Sequence, residues 1–206
     1  ECLLSLWQQI ATHYRDYPNG LYFEIYNEPC KNMNSIWNQY AADTLQVIRS
    51  TNPTRKVVID VADYAHASNI SALSIPNDSN LAVSFHFYEP SNFCFQGMAW
   101  ANMGGVSGIT WEGTAAQKQT LTDLLDNVVT WSAAHSNVEL WNGEFCAHYY
   151  ANINDRARWT AFVARECESR NIGWAYWDFH EESCGIYDPD KQSFRPEILN
   201  SLIPTP

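Results

Sequence analysis

Positive charge is scarce in this 206-residue chain: 12 Lys and Arg face 23 Asp and Glu, a formal net charge of −11. Nucleic acids and anionic membranes both reward clusters of Lys and Arg, none of which appears, so neither is expected as a partner. No apolar run approaches the roughly 20 residues of a membrane-spanning helix. No signal peptide is evident, and the chain opens on Glu1 rather than Met, so a processed, trimmed or partial chain is expected. The six cysteines (Cys2, Cys30, Cys94, Cys146, Cys167 and Cys184) show no CxxC or zinc-type spacing, and no metal is expected. They suffice for three disulfides, but a chain of this length does not need them, and no pairing follows from their positions. Charged residues make up only 17% against 46% hydrophobic, which favours a folded core over disorder. The length suits a single domain spanning residues 1–206.

What the chain has in excess is aromatic surface: 9 Trp, 11 Tyr and 9 Phe, or 14% of residues. Aromatic faces stack on the C–H faces of sugar rings, so the excess points towards carbohydrate. It is equally compatible with a core rich in aromatics.

Periodicity organises the rest. Leu3, Leu6, Trp7, Ile10 and Tyr14 fall on one face of a first helix. Pro18-Asn19-Gly20 breaks the chain before an apolar strand, Leu21 to Tyr26. A second helix is expected from about Asn34 to Arg49, with Ile36, Tyr40, Val47 and Ile48 on or near its buried side. Strands follow at Val57 to Val61 and Ala82 to Tyr88, then a long aromatic-rich loop. Ala115 to Ala134 reads as a strong helix carrying Leu121, Leu124, Leu125, Val128 and Val129. Next come a strand at Val138 to Trp141 and a helix capped by Asp155, with Trp159, Phe162 and Val163 turned inward. A strand from Gly173 to Phe179 and a helix from Pro196 to Ile203 close the series. Helices alternating with five apolar, non-alternating strands argue for parallel β/α units, either a doubly wound sheet or a (β/α) barrel. No strand exit carries GxGxxG or GxxxxGK[ST], which weighs against a nucleotide-binding doubly wound sheet.

The strand exits carry other chemistry. The first ends in Tyr26-Asn27-Glu28-Pro29, the third in His86-Phe87-Tyr88-Glu89-Pro90, the fourth in Asn142-Gly143-Glu144-Phe145 and the fifth in Tyr176-Trp177-Asp178-Phe179. In a (β/α) barrel the C-terminal strand ends form the active face, so these side chains are expected to share one cleft. Two glutamates, an imidazole, a phenol and an indole suit glycoside cleavage. One carboxyl protonates the leaving oxygen, and the other attacks or stabilises an oxocarbenium-like centre. Each piece has a plainer reading: a surface carboxylate, a core histidine, a barrel-filling tryptophan. Their joint occurrence at corresponding strand ends is what those readings do not explain.

The motifs Phe23-Glu24-Ile25-Tyr26-Asn27-Glu28-Pro29, Ser84-Phe85-His86-Phe87-Tyr88-Glu89-Pro90 and Trp141-Asn142-Gly143-Glu144-Phe145 resemble the cellulases of glycoside hydrolase family 5. Trp174-Ala175-Tyr176-Trp177-Asp178-Phe179 and Gly185-Ile186-Tyr187-Asp188-Pro189 extend the resemblance over nearly the whole chain. It implies that Glu28 is the acid/base and Glu144 the nucleophile of a retaining endo-β-1,4-glucanase. It also implies that His86 and Tyr88 position Glu144, that Asn27 meets the sugar 2-hydroxyl, and that Trp177 stacks beneath the cleaved sugar. The loop Phe93 to Trp111, with Gln96-Gly97 and Trp100, resembles the family's substrate-binding loop. No cofactor is implied; the expected partner is a β-glucan, and the expected location is extracellular. A non-catalytic glycan binder is the alternative, as is hydrolysis of mannan, xyloglucan or mixed-linkage glucan.

In this family the Asn-Glu-Pro strand is the fourth of eight. The expected fold is therefore an incomplete (β/α)8 TIM barrel whose five parallel strands correspond to the family's strands four to eight. An open parallel sheet leaves two edges and part of a buried face unpaired, so a homodimer or higher homo-oligomer is expected to hide them, with a partner fragment carrying the missing strands as the alternative.

Overall fold

The computed structural model describes residues 2–180 and 183–204. In chain order the elements are α1 (Cys2–His13), β1 (Phe23–Glu24), α2 (Trp37–Arg49), β2 (Val57–Asp60), β3 (Leu81–His86), α3 (Ser91–Cys94) and α4 (Ala115–Ala134). They continue with β4 (Glu139–Glu144), α5 (Ile153–Ser169), β5 (Gly173–Trp174), β6 (Tyr187–Asp188), β7 (Ser193–Phe194) and α6 (Pro196–Leu202). One sheet holds five strands in the order β1-β2-β3-β4-β5, the sequential order of parallel β/α units. Phe23 pairs with Val57 and Val57 with Leu81, each in parallel register. The helices and the apolar strand runs are those the periodicity requires, with β2 and β3 buried at every position as strands covered on both faces must be. The chain forms two compact units, Glu1–Phe85 with Val128–Trp141, and His86–Asn127 with Asn142–Pro206.

In the first unit, α1 and α2 pack together. Trp7 and Ala11, one turn apart, form the buried stripe of α1, and the Trp7 indole N–H donates to the Ile25 carbonyl at 2.9 Å. Leu6, expected on that face, is exposed. The second helix starts at Trp37 rather than Asn34, because Lys31–Met33 forms a short 3-10 turn ahead of it. Its buried stripe is Trp37, Ala41, Thr44, Leu45 and Ile48, so Ile36 falls outside the helix and is exposed. Two arginines fasten the loops. Arg55, 3% exposed, donates to the carbonyls of Tyr14, Tyr17 and Leu21 at 2.9, 2.8 and 3.0 Å. Arg49 grips Asp78 through two bonds of 2.7 and 3.1 Å and also reaches the Asn80 carbonyl at 3.2 Å. That pairing holds the Asp78 carboxyl below its usual pKa.

In the second unit, α5 packs against α6 and β5. The cap of α5 is Asn152, whose side chain accepts from the Asn154 amide. Asp155, expected there, sits in the first turn and instead accepts from the Trp111 amide at 3.2 Å and from Arg158 at 2.8 Å. Its carboxylate thereby ties the long loop to the helix. Trp159 and Val163 are buried as expected. The terminal strands are shorter than their apolar runs: β1 covers two residues of Leu21 to Tyr26, and β5 two of Gly173 to Phe179. The antiparallel pair β6–β7 and the disulfide Cys146–Cys184 were not foreseen from the sequence.

Candidate active site

In the first unit the chain leaves β1 through Asn27, which is exposed, and Glu28, which is half-buried. Glu28 has φ of 50°, in the left-handed region that costs a non-glycine residue of order 1–3 kcal/mol. Something must hold it there. Its amide donates to Asp60 Oδ2 at 3.0 Å, and Asp60 is fully buried at the end of β2. Asp60 is itself positioned by its carbonyl, which accepts the Trp37 indole N–H at 2.7 Å. Pro29 then turns the chain away, and its carbonyl accepts the Tyr64 amide at 3.3 Å. Asp60 is a positioning residue that the sequence reading passed over. Its signal was present: an acid closing an otherwise apolar strand, Val57-Val58-Ile59-Asp60.

The second unit brings together three of the expected residues. His86, at the end of β3, is 3% exposed, and Glu144 ends β4. His86 Nδ1 lies 3.4 Å from Glu144 Oε2, and the Tyr88 hydroxyl donates to the same oxygen at 2.7 Å. The Phe87 amide donates to the Glu144 carbonyl at 2.8 Å, which fixes the backbone beneath the carboxylate. A phenol and an imidazole on one carboxylate oxygen orient it. Asn142, fully buried, lends its carbonyl to the Ala175 amide at 2.9 Å, joining β4 to the start of the Trp177 segment. Trp177 is 41% exposed, with its amide bonded to the Phe145 carbonyl at 3.3 Å. Its side chain is partly exposed in the same unit as Glu144.

The loop after β3 divides its labour differently from the expectation. Gln96 is fully buried and spends its amide within the loop, donating to Phe93 and Ile109 carbonyls at 3.1 and 2.9 Å and accepting from the Ile109 amide. It shapes the loop rather than facing substrate. Gly97 has φ of 81°, and an added Cβ would collide with the Tyr150 ring, so glycine is required on both counts. Trp100 is 64% exposed and packs edge-on against Phe95 and His148, with ring centroids at 5.0 and 5.7 Å. Beyond Glu144 stands a second cluster: Cys146, His148 and Cys184, all buried, offer ligand atoms within 4.8 Å of one another. Burial, together with the Arg156 charge, pushes the His148 pKa down to about 4.

Comparison with known proteins shows the family. Residues 1–183 match the family described as cellulase (glycosyl hydrolase family 5). The chain is 30% identical over 204 residues to Endoglucanase H of Acetivibrio thermocellus, which covers 96% of this chain and 21% of that protein. A hyperthermophilic endo-β-1,4-glucanase solved with its substrate superimposes with a TM-score of 0.93 at 35% identity, over 99% of this chain and 66% of the other. Thermotoga maritima Cel5A, solved with mannotriose, gives 0.93 at 34% identity, over 98% and 65%. The chain thus spans from about a fifth to two thirds of the length of these relatives. Its five parallel strands make an incomplete (β/α)8 barrel. On this evidence the chain belongs to the cellulase family, glycosyl hydrolase family 5.

Proposed function

We propose that this protein cleaves internal β-1,4 linkages of cellulose or a related β-glucan by double displacement with net retention. The observation that carries the reading is the carboxylate of Glu144, held on one oxygen by Tyr88 at 2.7 Å and by His86 at 3.4 Å. An oriented, ionised carboxylate at a strand end is what a nucleophile requires. Glu144 attacks the anomeric carbon and forms a glycosyl ester, while Glu28 gives its proton to the departing oxygen. Glu28 then takes a proton from water, whose oxygen displaces Glu144 and releases the sugar. Glu28 lies past the C-terminal end of β1 and Glu144 is the last residue of β4, the kind of position at which barrel enzymes place their chemistry. Retention requires their carboxyls to stand roughly 5–5.5 Å apart, whereas inversion needs roughly 6.5–9.5 Å. Asn27, exposed beside Glu28, is assigned to the sugar 2-hydroxyl, and Trp177 to stacking beneath the ring.

The mannotriose complex of Cel5A bears on substrate choice, since mannotriose is a ligand of a relative. Reducing-sugar release from carboxymethylcellulose, mixed-linkage β-glucan and mannan tests the reading. Faster turnover of the β-glucans, abolished in Glu28→Gln and Glu144→Gln, is the expected result. Binding without turnover supports a glycan-binding module instead. The Cys146–Cys184 disulfide supports an extracellular location, where such bonds persist. A homodimer remains part of the proposal. An apolar-walled cavity of about 250 Å³ in the first unit, lined by Tyr22, Glu24, Val58, Ala82, Glu139 and Trp141, is a surface for a second copy to cover. Light scattering that finds one chain per particle at every concentration overturns it.

A further inference from the structure

The proposed reaction uses none of Cys146, His148 and Cys184, yet these three are gathered more tightly than packing needs. The two sulfurs and one ring nitrogen of His148 lie within 4.8 Å of one another, in a spot where all three residues are buried. His148 Nδ1 is buried without a hydrogen-bond partner among the described residues, and the residue is only 6% exposed. A buried ring nitrogen without a partner is costly unless something is there for it to bind. The segments carrying the cluster are also held independently of the S–S bond. Arg156 donates to the Ala147 carbonyl at 2.8 Å and to the Cys184 carbonyl at 3.3 Å, so one guanidinium clamps both strands of chain. Tyr176 adds a bond to the Cys184 carbonyl at 3.1 Å, and the Tyr149 amide reaches the Ser183 carbonyl at 2.8 Å. The His148 amide is bonded to the Cys94 carbonyl at 2.9 Å. Opening the disulfide therefore leaves both sulfurs and the imidazole where they are, apart from side-chain rotation.

We propose that reduction of the Cys146–Cys184 bridge by a dithiol converts this cluster into a binding site for a thiophilic d10 cation of the Zn²⁺ class, with two thiolates and the His148 imidazole as ligands. The chemistry balances. A dithiol reductant gives two electrons and two protons to the S–S bond and leaves as its own cyclic disulfide. The cation then displaces one proton from each thiol, so two protons are released on binding. The geometry suits the cation: metal–sulfur bonds of about 2.3 Å in a tetrahedral arrangement place two sulfurs roughly 3.8 Å apart. The Cα separation of 6.2 Å between Cys146 and Cys184 leaves room for that distance by rotation about the side chains. The Arg156 charge offsets part of the negative charge that two buried thiolates bring. Three protein ligands leave a fourth position for water or another donor. Cys146 lies two residues past Glu144, so the state of this cluster reports on the loop that leaves the proposed nucleophile.

The test uses the full chain carrying Cys2→Ser and Cys30→Ser, which removes the two thiols that are not buried. Cys94 and Cys167, both buried, stay in every variant. The chain is reduced with dithiothreitol, freed of it by gel filtration without oxygen, and titrated with Co²⁺ and then Zn²⁺. The expected result is a thiolate-to-cobalt charge-transfer band that saturates at one Co²⁺ per chain, is displaced by Zn²⁺, and is absent before reduction. His148→Gln keeps both cysteines and should weaken Co²⁺ binding at least tenfold, with an unchanged circular dichroism spectrum. Cys146→Ser with Cys184→Ser should abolish the band. A reduced chain that takes up no Co²⁺, or one whose uptake is the same with His148→Gln, overturns the proposal.

Discussion

The two units are ordered by different means. The first is built on fully buried strands, β2 and β3, and on two arginines that hold its loops through backbone carbonyls and Asp78. The second has one buried helix, α5, but depends on loops closed by polar clamps, aromatic contacts such as Phe145–Trp174 at 5.6 Å, and a disulfide. In the first, cations are used to finish a scaffold. In the second, an imidazole and a phenol are turned onto a carboxylate. The difference teaches where to look for chemistry: at the last residue of a regular strand, where the backbone is still fixed but the side chain no longer has to fill a core.

Five substitutions sharpen that contrast, in descending order of effect. Glu144→Gln should lower kcat on carboxymethylcellulose by about 10⁴-fold or more, with no change in melting temperature, because it removes a group and not a packing contact. Glu28→Gln belongs with it at about 10²–10⁴-fold, smaller when the leaving group is an activated phenol that needs no proton. Arg55→Met should do the reverse. It strands the carbonyls of Tyr14, Tyr17 and Leu21 and costs about 3 kcal/mol, or roughly 6–12 °C of melting temperature, while kcat of the folded fraction stays level. Tyr88→Phe deletes one charge-assisted hydrogen bond of 2.7 Å and should reduce kcat about 10- to 100-fold at nearly constant stability.

Asp78→Asn completes the series with the smallest effect, about 1–2 kcal/mol measured by denaturant titration at pH 7. Its pH dependence has a definite sign. The Asp78 pKa is lowered in the fold, first by the hydrogen bond from Arg49, so its contribution is present above the unfolded value of 3.8. It disappears as pH falls through the lowered folded value. The wild type should therefore lose this increment on acidification below about pH 4, and the Asn variant should not. A catalytic effect from Arg55→Met or a stability effect from Glu144→Gln would break the division of labour between the two units.

Much of this was legible in the sequence, for identifiable reasons. α4 was read to its ends, Ala115 and Ala134, because its leucines recur at helical spacing without a competing proline. Strands β2 and β3 were legible because mostly apolar runs of that length leave few alternatives. The edge elements were overdrawn. Leu21 and Tyr22 are apolar but exposed, and pattern alone does not distinguish an apolar residue that pairs from one that does not. Likewise Asp155 resembled a cap, while Asn152, three residues earlier, does that work. At the candidate site, His86, Tyr88 and Glu144 were visible as strand-end residues, and the structure brings them together. Asp60, the acid that ends an otherwise apolar strand, was passed over, and the Cys146–Cys184 pairing was not derivable with the partners 38 positions apart and four other cysteines present.

The central claim, that Glu144 is the nucleophile of a retaining hydrolase, meets its most direct test in covalent trapping. A 2-deoxy-2-fluoro cellobioside with an activated leaving group slows release of the glycosyl ester, and peptide mapping by mass spectrometry then locates the sugar. The account predicts one label per active chain, on the peptide containing Glu144 and absent in Glu144→Gln. A label on another residue, or continued hydrolysis without any label and with inverted product, would contradict it.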